Sequence, residues 1–156
     1  MKYIKTFEMY SRWDSKILNE ILNAITSIKR PKPSIYDYSL YPEIGILWIA
    51  YKYSARSKRD KLDKSDQYNE NNILIKSILE SSNFIESVSE IEYNGRKGPF
   101  PPKYNKDTKI LVNSFLGGLQ KPNESVYSIQ CKIKDEFISE ILDEIDATKN
   151  SRKYNL

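Results

Sequence analysis

The sequence contains no histidine, one cysteine and only five glycines. Each shortage removes a class of site. Without histidine there is no imidazole general base and no Ser/His or Cys/His pair. With Cys131 alone, neither an internal disulfide nor a Cys/His zinc cluster can form. Gly117 and Gly118 are followed neither by spaced glycines nor by the Lys-Ser/Thr of a phosphate loop, so they read as a turn. Long apolar runs are missing as well. The longest, residues 44–50, falls far short of the roughly 20 residues that a membrane-spanning helix needs. Residues 1–10 interrupt their apolar side chains with Thr6, Glu8 and Tyr10, which leaves no continuous hydrophobic segment for secretion. The expectation is an intracellular chain outside the membrane, with no metal and no cofactor.

What is present suits one folding unit. A chain of 156 residues that is 39% hydrophobic can bury a real core, but it cannot build two large domains. The reading is a single domain over 1–147 with a polar tail over 148–156. The net charge of +4 is modest and unevenly spread. Residues 2–32 carry seven basic and three acidic side chains, residues 56–64 five and two, and residues 96–109 five and one. Residues 135–146 carry six carboxylates and no base.

Periodicity predicts an α+β fold, with amphipathic helices at about 14–29, 72–81 and 135–146 packed on a short, mainly antiparallel sheet. In the first helix Ile17, Leu18, Ile21, Leu22, Ile25 and Ile28 recur at helical spacing, with Ser11 and Asp14 as a capping box and Pro31 as the stop. The tyrosine-rich stretch 34–42 reads as extended. Residues 43–53 are apolar on both faces and read as a buried strand, although Pro42 would also suit a helix start. The charged stretch 54–72 is either a loop or a solvated helical extension, and Asn71 or Asn72 would cap the helix that follows. Residues 88–93 run into the turn signal Asn94-Gly95. Residues 109–116 and 125–133 are expected to form a hairpin, with Tyr127, Ile129, Cys131 and Ile133 alternating onto the core face. The last helix buries Phe137, Ile138, Ile141, Leu142 and Ile145.

No catalytic constellation stands out. Asp107 with Lys109, and Glu90 with Glu92, are the nearest approaches to a nuclease site or to a transferase carboxylate pair. Both lack a partner at a fixed offset and read as surface charge. The chain is therefore expected not to be an enzyme. Two features suit binding. Arg96, Lys97, Phe100, Lys103, Tyr104 and Lys106 join basic and aromatic groups on a proline-braced loop that could grip phosphates while stacking a base. Asp135, Glu136, Glu140, Asp143 and Glu144 form an acidic helix face suited to a protein partner or to a basic patch on another copy. A third basic stretch, Arg56, Lys58, Arg59, Lys61 and Lys64, is interleaved with Asp60, Asp63 and Asp66, which would repel phosphate.

The opening Met1-Lys2-Tyr3-Ile4-Lys5-Thr6-Phe7-Glu8-Met9-Tyr10 resembles the start of many small proteins encoded by tailed bacteriophages. The resemblance implies a phage gene product in the host cytoplasm or the virion: a virion component, or a protein that blocks a host or defence factor. The expected function is non-enzymatic binding through protein–protein contacts or self-association. The alternative is nucleic-acid binding through the loop 96–106.

Overall fold

The computed structural model describes residues 15–94, 100–113 and 121–154. Among these residues the fold is α+β, with four helices and a mainly antiparallel sheet. Helix α1 (Lys16–Thr26) begins where Ser15 leaves extended backbone and its hydroxyl accepts the Leu18 amide at 3.2 Å. The capping box expected at Ser11 and Asp14 lies outside the described residues. Ile17, Leu18, Ile21, Leu22 and Ile25 form the buried stripe of α1, each worth roughly 1.5–3 kcal/mol of apolar burial.

Strands β1 (Ser34–Tyr41) and β2 (Ile46–Ser54) pair as an antiparallel hairpin, so residues 46–54 are indeed strand. Gly45 closes the hairpin at φ 67, in the left-handed region that glycine adopts without strain. Its N–H donates to the Pro42 carbonyl, and its own carbonyl accepts the Ile133 amide.

The charged stretch proves to be helical, as α2 (Lys58–Asp63) followed by α3 (Ser65–Glu80). Asn71 and Asn72 therefore sit inside α3 and cap nothing. The helix starts seven residues earlier than its apolar residues suggest, because Tyr68 already belongs to the buried face. Strands β3 (Ile85–Val88) and β4 (Glu92–Tyr93) lie along one side of β7 (Glu124–Ile133). Between them the Ser89 hydroxyl accepts the Gln130 amide, and the Ser89 amide donates to the Gln130 carbonyl. The order β1-β2-β7-β3, with β4 also on β7, makes β7 central, which accounts for its near-continuous burial.

The expected hairpin across 109–133 has a different pairing. Strand β6 (Ile110–Val112) pairs with β5 (Lys103–Asn105) in a separate two-stranded ribbon. Both long sides of β7 are already occupied, by β2 on one and by β3 and β4 on the other, so no ladder remains for β6. Helix α4 (Asp135–Tyr154) runs beyond the end expected near residue 146. Its capping role is remote: the Glu144 carboxylate accepts the Lys16 amide at 2.6 Å, satisfying one of the free N–H groups at the start of α1.

Helices α1, α3 and α4 supply Leu22, Ile75, Leu79 and Ile141 to the main core on one sheet face, against Leu47, Ile49, Ile129 and Ile133. The opposite face holds a smaller cluster of Trp48, Ala50 and Val126 with Tyr36 and Tyr41 packed on it. No helix among the described residues is long and apolar enough to cross a membrane.

Candidate interaction surface

Beneath the sheet, polar groups are buried in an ordered way. Tyr51, Tyr53 and Tyr127 project from neighbouring positions on β2 and β7, and Tyr68 reaches them from α3. Tyr53 stacks on Tyr68 with ring centroids 4.4 Å apart, while Tyr51 lies edge-on to Tyr53 at 5.9 Å. The single carboxamide oxygen of Asn72 accepts both the Tyr51 hydroxyl (2.8 Å) and the Tyr53 hydroxyl (2.9 Å). Burial pushes the Tyr51 and Tyr53 hydroxyls well above the ordinary tyrosine range, so both remain protonated donors. The Tyr68 hydroxyl is buried with no hydrogen-bond partner among the described residues. Cys131 lies fully buried on the same sheet face, and desolvation pushes its thiol up to about 12. That makes it a core thiol rather than a nucleophile.

The remaining charged groups are dispersed. Glu90 pairs with Lys76 at 2.6 Å, and Lys52 pairs with Glu124 at 2.6 Å. Asp60 accepts the Arg56 amide at 2.9 Å and pairs with Lys64 at 3.3 Å. The Arg56 amide bond is the main cause that holds its carboxyl below the usual carboxylate range. Among the described residues no three Cys, Asp or Glu side chains gather as metal ligands. A cleft of about 340 Å³ between α1 and the end of α3 is lined by Glu20, Ile21, Ala24, Ile78, Ser82 and Phe84 among others, bringing one carboxylate and no lysine.

The surface is more distinctive. Arg96 and Lys97 of the expected basic loop lie outside the described residues. Phe100, Lys103, Tyr104 and Lys106 are brought together at the β5–β6 ribbon, with Phe100, Lys103 and Lys106 exposed and Tyr104 half-buried. Directly opposed residues share a ribbon face, so Lys103 stands beside Val112 and Asn105 beside Ile110, while Tyr104 and Leu111 occupy the other face. The tip is a turn in which the Asn105 carboxamide accepts the Asp107 and Thr108 amides, and Lys109 takes φ 58. Ile110 is 56% exposed, Val112 44% and Phe100 45%. The stem is tied to the sheet by the Tyr41 hydroxyl, which donates to the carbonyl of buried Pro102.

A second apolar surface went unnoticed in the sequence. On α3, Ile73 is 72% exposed and Leu74 47%, while Tyr68, Asn72, Ile75 and Leu79 form the inner face. The signal was present: Ile73, Leu74, Ile75, Ile78 and Leu79 are more apolar residues than one helical stripe can bury. On α4, Asp135, Glu136, Glu140 and Asp143 are exposed, Glu144 caps α1, and no large apolar side chain of that helix is exposed among its described residues. No protein-family model, curated protein or solved structure matches the chain.

Proposed function

We propose that the protein is a non-enzymatic binding protein that acts through protein–protein contacts, with the β5–β6 ribbon as its principal contact element. One observation carries the reading: Phe100, Ile110 and Val112 face water beside exposed lysines, whereas apolar side chains of similar size on β2 and β7, such as Leu47, Ile49, Val126 and Ile129, are buried. Exposed apolar groups rimmed by charge are a usual mark of an interaction site. A virion component would repeat such a contact in an assembly, whereas an inhibitor of a host or defence factor would use it on one larger partner. Either role belongs to a phage gene product in the host cytoplasm or the virion. The test is affinity purification of the tagged chain from the cells that naturally make it, beside an Ile110→Ser/Val112→Ser variant. A protein retained by the first and lost by the second supports the reading; equal retention sinks it.

Nucleic-acid binding is the second reading, favoured by Lys103, Lys106 and half-buried Tyr104 on a two-stranded ribbon. The major groove of duplex DNA admits such an element. Binding of random-sequence duplex should then weaken steeply with salt and with Lys103→Ala or Lys106→Ala. Salt-independent retention, or none, removes it.

A further inference from the structure

Among the large apolar side chains that the described residues leave exposed, two groups stand out: Ile73 and Leu74 on α3, and Phe100, Ile110 and Val112 on or beside the ribbon; Leu62 lies apart on α2 among Lys58, Arg59 and Lys61, and Tyr93 on β4 packs against Tyr127. The two groups differ in charge. Around Ile110 and Val112 the ribbon carries Lys103 at its base and Lys106 and Lys109 at its tip, against Asp107 alone. Around Ile73 and Leu74 the outer side of α3 carries exposed Glu70 one turn before and exposed Glu80 two turns after. Lys76, the one base on α3, is engaged by Glu90. Each patch is thus an apolar centre with like charges at both ends, lysine on one and carboxylate on the other. The end charges lie about 10 Å apart along the ribbon strand and about 15 Å apart along the helix.

The patches cannot satisfy each other within one molecule. Helix α3 packs on the sheet face of Ile49 and Ile129 through Ile75 and Leu79. The ribbon stem is tied to Tyr41, which packs with Trp48, Ala50 and Val126 on the opposite face. A ribbon can reach an α3 outer face only in a second copy of the chain.

Resting on the protein-contact reading above, we infer that the partner includes a second copy of this chain, with the ribbon of one protomer seated across Ile73 and Leu74 of the next. Different patches meet at this contact, so it either closes reciprocally in a two-fold dimer or, made once per pair, runs head to tail into a ring or an open filament. Two apolar side chains on each surface lie at the small end of protein interfaces, so assembly occurs at high protein concentration and weakens with salt.

Light scattering of the full chain across a concentration series tests this, using two charge-reversed variants. One is Lys103→Glu/Lys106→Glu/Lys109→Glu and the other Glu70→Lys/Glu80→Lys. All five substituted side chains are exposed, and an unchanged thermal midpoint verifies that each variant is folded. The wild type is expected to gain mass with concentration. Each variant alone should associate at least about tenfold more weakly, because like charges then face each other. An equimolar mixture of the two should recover association, since each reversed patch again finds its opposite. A wild type that stays monomeric overturns the inference but leaves capture of a different protein standing, which the affinity purification reads separately. Variants that associate like the wild type, or a mixture that fails to recover, overturn it too. So does loss of association on Glu136→Lys/Glu140→Lys with Glu70→Lys/Glu80→Lys silent, which would move the seat to α4.

Discussion

The space between α3 and the sheet and the β5–β6 ribbon are opposites in where they put polarity. Under the sheet, Asn72 and a set of tyrosines bring hydroxyl and amide groups into the interior and pair most of them. On the ribbon, Ile110 and Val112 are left in water beside lysines. The first arrangement makes sense only as a device for fixing geometry. A buried hydroxyl needs an acceptor in one place, so the Asn72 oxygen sets how α3 lies across β2. The second stabilises the monomer little, and under the function proposed above it is the surface that makes the contact. The lesson is that interior polarity and exterior apolarity serve different ends in the same small domain, and substitution can separate them.

Breaking the interior should have the largest effect. Asn72→Ala removes the acceptor of both Tyr51 and Tyr53 and strands two buried donors. Denaturant unfolding should report a loss of about 2–4 kcal/mol. A loss below about 1 kcal/mol would mean that the tyrosine hydroxyls find other acceptors and that Asn72 does not orient α3. Tyr68→Phe should have the opposite sign, since it deletes a buried hydroxyl without a partner and keeps the ring stacked on Tyr53. A gain of up to about 1 kcal/mol is expected by the same measurement.

A smaller, pH-dependent effect sits on β1. Burial raises the Asp37 carboxyl above its ordinary value, against the Tyr38 amide that it accepts at 2.8 Å. A carboxyl raised on folding contributes stability that is present below its unfolded value and lost as pH rises through the folded one. Asp37→Asn, which keeps an oxygen for the Tyr38 amide, should therefore raise the thermal midpoint near neutral pH. The gain should vanish near pH 3, about a unit below the ordinary carboxylate value. Persistence of the gain at low pH would trace it to something other than charge. Smallest of all, Ile110→Ser should change monomer stability by no more than about 0.5 kcal/mol while weakening association, which keeps the two regions distinct. A large loss of stability would make the ribbon part of the core after all.

Several elements were legible because their signals are local. The stripe of α1 from Ile17 to Ile25 and the alternation Tyr127, Ile129, Cys131, Ile133 on β7 each define one buried face, and each face is buried as read. The ribbon's Phe100, Lys103, Tyr104 and Lys106 stood out because bases and aromatics crowd together there. The partner of β6 was not legible. Residues 110–112 and 125–133 are both apolar, and only the competition of β2, β3 and β4 for β7 excludes their pairing. Asn72 was misread for the same reason, since an asparagine before an apolar run has the local form of a helix cap.

The sequence by itself determined the α+β class, the buried faces of α1 and β7, and the lack of any histidine- or disulfide-based site. Those follow from side-chain period and from which residues exist. Only the tertiary structure decided that Asn72 turns inward to the tyrosines, that β5 and β6 form their own ribbon, and that Ile73 and Leu74 stay outside on α3. These depend on which surfaces compete for the same neighbour, and contacts between residues far apart in the chain leave no period in it to read.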